Sequence, residues 1–179
     1  MAISYAVIEL DNLVLSALRC FTISSLRGGR TAGGRRVLTR MRFGHEEEVA
    51  AFILSVLNSV LYAKLRSPAR VSRRDEPTVR DPRDTEKILL TCGASNVGSL
   101  QNALALNTSI FRDLSALRNF YAHRNADTWR KLKTKAASWG VLSPEHADDI
   151  ARSTLSGRPV TLFEDWLDDA ELFFDELTL

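Results

Sequence analysis

The residues best able to do chemistry in this chain lie together in Leu117-Arg118-Asn119-Phe120-Tyr121-Ala122-His123-Arg124-Asn125. Arg118 is a permanent cation, and His123 carries the side chain whose ordinary pKa lies nearest neutrality. A guanidinium can stabilise charge on a phosphate, and an imidazole can move the proton of a hydroxyl. RNA cleavage without a metal needs those two functions. Asn119 and His123 are four apart, so on a helix the amide comes within reach of the imidazole and can fix its tautomer. Arg118 and His123 fall about 140° apart on an ideal helix, at roughly 100° per residue. One straight helix does not aim both at a single phosphate. Either the helix breaks near His123, or a two-fold partner supplies a second copy of the pair. Periodicity alone also allows a plainer reading, with Arg118 a solvated charge and His123 a helix-end residue at the negative end of the dipole.

A second feature is the segment from residue 27 to residue 44. It carries Arg27, Arg30, Arg35, Arg36, Arg40 and Arg42 with no acid between Arg27 and Arg42, and it contains Gly28-Gly29 and Gly33-Gly34. It lacks the lysine–hydroxyl ending of a P-loop, and no strand precedes it. Two readings stand: a solvated, hairpin-like loop, or an auxiliary grip on RNA in which planar guanidinium forks meet phosphates. On the second reading Arg35, Arg36, Arg40 and Arg42, together with Arg124 beside the motif, are the RNA-binding candidates. His45, at a helix entrance, and His146, in a loop-like stretch, have no metal-ligand neighbours at useful spacing and read as surface residues. Cys20 and Cys92 read as buried thiols rather than a bridge or zinc ligands. No metal and no cofactor is expected.

These residues must be positioned by helices. Val49, Phe52, Ile53, Val56, Leu57, Val60, Leu61 and Leu65 follow 3–4 spacing, which predicts an amphipathic helix over about 46–66 with Glu46, Glu47 and Glu48 at its positive end. Residues 3–26 form a helix apolar nearly all round, expected to lie deep, with a polar ridge of Glu9, Asn12, Ser16 and Arg19. That ridge faces either an internal hydrogen-bond network or a wet cleft. Shorter helices are predicted over 84–92, 95–106, 109–123 and 127–138. A C-terminal one carries Phe163, Trp166, Leu167, Ala170, Phe173, Phe174 and Leu177 on a stripe. A loop over 67–84, with Pro68, Pro77 and Pro82, should be extended and mobile. The fold class is therefore all-α, a bundle of about five or six helices in a single domain over 1–179.

Composition narrows the function classes. A chain of 179 residues with 45% hydrophobic and 26% charged residues is an ordinary globular composition, which argues against global disorder. No apolar run reaches the roughly 20 residues that cross a bilayer. The opening residues lack a basic region and are interrupted by Glu9 and Asp11, so no signal peptide is expected and the chain reads as cytoplasmic. A net charge of +2 hides an uneven distribution. The basic loop contrasts with Phe163–Leu177, which carries Glu164, Asp165, Asp168, Asp169, Glu171, Asp175 and Glu176 and no base.

The string Leu117–Asn125 resembles the signature of HEPN-domain ribonucleases: an arginine, usually a polar residue next, and a histidine four to six residues further on. Ala6-Val7-Ile8-Glu9-Leu10-Asp11-Asn12-Leu13 is similar to the first helix of the RiboL-PSP-HEPN branch. Asp127-Thr128 after the motif and the closing Leu162-Phe163-Glu164-Asp165-Trp166-Leu167 are similar too. The resemblance covers most of the chain, although the 27–44 insert has no counterpart in it. It implies an HEPN-like helical bundle, a homodimer in which two motif copies line one cleft, and metal-independent endoribonuclease activity of a toxin–antitoxin or antiviral defence kind. An antitoxin or defence protein would be a partner. Carried over by position, Arg118, Asn119 and His123 are catalytic. Some members have a tyrosine two residues after the histidine that an antitoxin modifies; here that position is Asn125. A catalytically silent HEPN module that binds RNA or scaffolds a complex, and a helical nucleotide-binding regulator, are the competing expectations.

Overall fold

The computed structural model describes residues 2–65, 71–154 and 159–179. Among them the chain is all-α, with nine helices, one 3-10 turn at Arg73–Asp75 and no strand. The helices are α1 (Ile3–Leu26), α2 (Glu46–Leu57), α3 (Ser59–Lys64), α4 (Pro82–Cys92), α5 (Val97–Ala105), α6 (Ile110–His123), α7 (Ala126–Ser138), α8 (Ala147–Arg152) and α9 (Leu162–Thr178). Among the described residues no helix is long and apolar enough to cross a membrane.

Nine helices exceed the five or six expected because short elements carry their own caps. The helix expected over 46–66 is broken at Asn58, whose backbone leaves the helical region at φ −142° and ψ 69°. Its side-chain oxygen accepts the Leu61 N–H at 3.0 Å and so starts α3. Beyond the break the apolar stripe is not buried: Val60 is 67% exposed. Residue 66 and the 67–70 part of the predicted loop, Pro68 included, lie outside the described residues. Pro77 precedes α4, and Pro82 opens it at the first helical position, where a missing N–H costs nothing. Helix α8 occupies a stretch whose sequence looks like loop; the His146 N–H donates to Asp149 at 2.8 Å and closes its first turn.

The chain divides into two compact units. The first comprises residues 1–14 and 107–174. Its core gathers Val7, Leu10 and Val14 of α1, Leu114, Leu117 and Tyr121 of α6, Leu132 and Ala136 of α7, Ile150 of α8, and Leu162 and Trp166 of α9. The spacings of three and four along α1, α6 and α9 put these side chains on one face of each helix. Trp166 is fully enclosed and meets Trp139 edge to face at 5.6 Å.

The second unit comprises residues 15–106 and 175–179. Its buried residues include Leu18 and Leu26 of α1, Ile53 and Leu54 of α2, Ile88 and Leu89 of α4, and Leu100 of α5. Two buried polar contacts sit among them, Thr22 Oγ1 to Thr85 Oγ1 at 3.0 Å and Asn96 Nδ2 donating to Ser25 Oγ at 2.8 Å. The glycine and arginine segment begins where α1 ends and closes on itself through a single antiparallel bridge between Arg30 and Arg36. It has the hairpin form expected of it.

Helix α1 is less enclosed than its sequence suggests. Tyr5 and Leu13 are 57% and 65% exposed, and Glu9, Asn12 and Ser16 of the polar ridge face solvent. Arg19 of that ridge is engaged, forking onto Glu76 through Nε at 2.9 Å and Nη2 at 2.8 Å. Cys92 is buried as expected, whereas Cys20 is exposed on α1.

The first unit's core rests most heavily on its largest enclosed side chain. Trp166→Ala should lower the unfolding free energy by about 3–5 kcal/mol, read as a fall in the urea midpoint. A decrease below about 1 kcal/mol would contradict that enclosure.

Candidate active site

Helix α6 is continuous through the motif and ends on it. Leu114, Leu117 and Tyr121 are buried at spacings of three and four, which fixes the rotation of the helix about its axis. Arg118 stands one residue beyond Leu117 and is half-buried, whereas Asn119 and His123 are exposed. His123 is the last residue of α6. Arg124 follows in the left-handed region, at φ 43° and ψ 45°, with its N–H on the Phe120 carbonyl. Asn125 then opens α7, its side-chain oxygen accepting the Thr128 N–H at 2.9 Å. The helix ends only after His123, so Arg118 and His123 both lie within α6 and the break does not change their separation about its axis.

The guanidinium of Arg118 is held from α1. Its Nε lies 3.5 Å from Asp11 Oδ2, an ionic contact rather than a hydrogen bond. Asp11 is only 7% exposed although it is a carboxylate. It shares the buried stripe of Val7, Leu10 and Val14, four residues after the first and three before the last. A carboxylate in that stripe is costly unless it faces a cation. Asp11 is absent from the residues that motif spacing singles out. The signal that points to it is an acid at a core position of an amphipathic helix.

Asn119 does not serve His123 as expected. Its amide oxygen accepts a long hydrogen bond from Arg118 Nη1 at 3.4 Å, because the arginine side chain lies along its neighbour. Among the described residues no hydrogen bond joins Asn119 to His123. The structure brings Arg118 and Asn119 together with Asp11 and leaves the imidazole exposed at the end of the same helix.

Two further contacts anchor the motif helix. The Tyr121 hydroxyl donates to Asp148 Oδ1 at 2.8 Å and ties α6 to α8. Burial, reinforced by the Asp148 carboxylate, pushes the phenol far up, so it stays protonated. Tyr121 is thus a core residue, and Phe120 stacks at a tilt on Trp129, 5.2 Å away. At the other end of α6, Asp113 is 3% exposed and collects Lys135 Nζ at 2.8 Å, Arg112 Nε at 3.0 Å and the Trp139 indole N–H at 3.0 Å. Burial alone would raise the Asp113 carboxyl. The hydrogen bonds from Lys135, Arg112 and Ser109 outweigh it and hold the group below the ordinary carboxylate range.

The predicted RNA-binding arginines divide between the units. Arg124, in the first, folds its Nε back toward the Tyr121 carbonyl at 3.4 Å. Arg35, Arg36, Arg40 and Arg42 are in the second, and all four are exposed. Arg40 lies over Gly93, where a Cβ would fall 2.8 Å from its Cδ, and Gly93 itself ends α4 at φ 65°. Arg36 and Arg42 line a common cleft. His45 and His146 are exposed at the starts of α2 and α8. No cluster of three or more histidine, cysteine or carboxylate side chains among the described residues could hold a metal ion.

No protein-family model, curated protein or solved structure matches this chain.

The Asp113 network sets a pH dependence with a definite sign. A carboxylate depressed in the folded state contributes stability above its unfolded pKa, near 4, and that contribution fades as pH falls through its folded value. Asp113→Asn should be less stable than the parent at neutral pH. It should also lose less stability than the parent between about pH 5 and pH 3. Parallel acid transitions for the two proteins, followed by denaturant unfolding, would remove Asp113 as their source.

Proposed function

We propose that this chain is a HEPN-type, metal-independent endoribonuclease, acting as a toxin or antiviral defence effector in the cytoplasm. The observation that supports it best is the state of the motif. A guanidinium is held by a buried carboxylate, and an exposed imidazole stands five residues on, at the end of the same helix. A cation fixed in direction and a proton carrier open to solvent are the two parts that cleavage requires.

In this reading His123 takes the proton of a ribose 2′-hydroxyl. The oxygen attacks the adjacent phosphorus, the bond to the 5′-oxygen breaks, and the products are a 2′,3′-cyclic phosphate and a 5′-hydroxyl. Arg118 stabilises charge on the non-bridging oxygens in the transition state. Asn119, bonded to Arg118, helps to direct the guanidinium. His123 of a second protomer protonates the leaving oxygen, so the working unit is a homodimer with a composite site. Arg124 and the basic loop contact the RNA backbone. An antitoxin or defence-system protein restrains or activates the enzyme, and with Asn125 capping α7 that restraint does not act through a tyrosine at this position.

A second reading has its own support. Asp11 already partly neutralises Arg118, which suits a catalytically silent module that binds RNA or scaffolds a defence complex.

Expression should arrest growth, and His123→Ala should relieve the arrest while the protein remains folded. With purified protein, His123→Ala and Arg118→Ala should each lower cleavage by about 10²–10⁴, and the double variant should fall little further. Cleaved RNA should end in 2′,3′-cyclic phosphate, and cleavage should persist in excess chelator. Near-native cleavage by either variant, or a strict magnesium requirement, overturns the scheme. RNA binding with no cleavage by the parent protein selects the silent module.

A further inference from the structure

The segment after α1 is fixed by backbone hydrogen bonds. The Gly29 N–H donates to the Ser24 carbonyl at 2.8 Å, Val37 N–H to Gly29 at 2.8 Å and Thr31 N–H to Arg35 at 2.9 Å. Further along, Arg40 N–H reaches the Cys92 carbonyl at 2.9 Å, and Ser95 N–H reaches Leu38 at 2.8 Å. Glycine is required at the first of these bonds. A Cβ on Gly29 would sit 2.9 Å from the Ser24 carbonyl oxygen, and Gly28 before it has φ +71°.

This fold-back leaves a cleft of about 390 Å³ whose walls include Arg27, Arg36, Arg42, Leu38, Met41 and Phe43. That volume lies within the range of small-ligand sites. No carboxylate forms an ion pair with any of the three arginines among the described residues. Acids do stand nearby: Glu46 and Glu76 line a smaller cavity that Arg27 also lines, where Glu76 is already taken by Arg19, and Glu48 accepts the Gly44 N–H next to Phe43 at 2.6 Å. Beside the cations stand exposed apolar groups: Leu38 is 66% and Met41 41% exposed. The Phe43 ring is held by Phe52, with centroids 5.1 Å apart. On Gly28, a Cβ would lie 3.6 Å from Arg36 Nε, so the missing side chain leaves room beside that guanidinium.

Guanidiniums without a carboxylate partner, next to a fixed aromatic ring and exposed aliphatic groups, match one ligand chemistry, a phosphate joined to a flat heterocycle. We propose that this cleft binds one nucleotide of single-stranded RNA, its phosphate held by Arg27, Arg36 and Arg42 and its base set against Phe43 and Met41. The assignment rests on RNA being the substrate of the motif and gives the strand a contact made by the second unit alone. A free nucleotide carries the same chemistry, and the test separates the two sources.

Binding of a fluorescent single-stranded oligoribonucleotide is measured by anisotropy on His123→Ala protein, so that the strand stays intact. Adding Arg36→Ala with Arg42→Ala should weaken binding about ten-fold or more and lower the salt slope by about 0.7 for each phosphate no longer neutralised. The melting temperature should not change, since both side chains are exposed and carry no ion pair among the described residues. Phe43→Leu should weaken binding by roughly five-fold or more with a smaller change in salt slope. Affinity within about two-fold of the parent in the double-arginine variant overturns the cleft, as does a parent protein that binds no RNA. Adenosine or cytidine monophosphate binding there as tightly as the strand overturns the strand as its source. Failure of the cleavage scheme shows separately, as strand binding that depends on Arg36 and Arg42 without turnover. In a cleaving enzyme, a KM that the double-arginine change leaves unmoved counts against the cleft alone.

Discussion

A carboxylate enclosed in the apolar stripe of α1 constrains everything around the motif. Asp11 is 7% exposed among Val7, Leu10 and Val14, and Arg118 of α6 faces it at 3.5 Å. The arginine supplies a cation that offsets the burial penalty of such a carboxylate. Because Arg118 meets it, the guanidinium is drawn toward α1 with its Nε enclosed and its side chain 30% exposed overall. Its direction is therefore set by core packing, since the same stripe residues that bury Asp11 also fix the face of α1. An arginine on a free surface would sample many rotamers; this one has given up much of that freedom before any ligand arrives.

The position of His123 follows from the same geometry. With Leu114, Leu117 and Tyr121 facing the core, a residue two positions beyond Tyr121 is rotated about 200° from it and must point outward. The left-handed Arg124 ends the helix there, and Asn125 starts α7 at once. Two helix termini thus meet beside the imidazole, and the chain turns sharply instead of carrying it into a longer helix. Tyr121 secures the turn by its bond to Asp148, and Asp113 secures the far end of α6 through Lys135, Arg112 and Trp139. Each anchor is a polar group that burial would penalise if its partner were removed.

How much of this is legible in the sequence depends on the kind of interaction. Helices α1, α4, α5, α6, α7 and α9 are legible because the 3–4 apolar period and the flanking Pro, Gly and Asn residues agree on them. The break at Asn58 is hidden because the apolar period runs on through Val60, Leu61 and Leu65, and periodicity does not say which apolar residues are buried. Helix α8 is only six residues long, too short for a period to declare itself. The arginine–histidine pair is visible, but pairing Asn119 with the imidazole is a mistake. Spacing on one helix ignores what Arg118 does when a carboxylate on another helix attracts it. Cys20 shows the same limit, since hydrophobic character alone does not place a side chain on the inner face.

Each unit carries a positively charged feature, and the two are built by different physical means. In the first unit a cation is fixed by a buried anion, so its charge is already partly answered and a phosphate must compete with Asp11 for it. Such competition favours a ligand whose charge grows during reaction over one that merely docks, because the gain is largest where negative charge develops. In the second unit Arg27, Arg36 and Arg42 are placed by backbone hydrogen bonds and by two glycines, with no carboxylate paired to them among the described residues. Arginines without an ion pair among the described residues suit binding of a phosphate that does not react. On the proposed function, the difference suits α6 to transition-state stabilisation and the segment that follows α1 to ground-state binding. Composition could not distinguish the two roles, because an arginine with a buried partner and an arginine without one contribute the same letter to the chain.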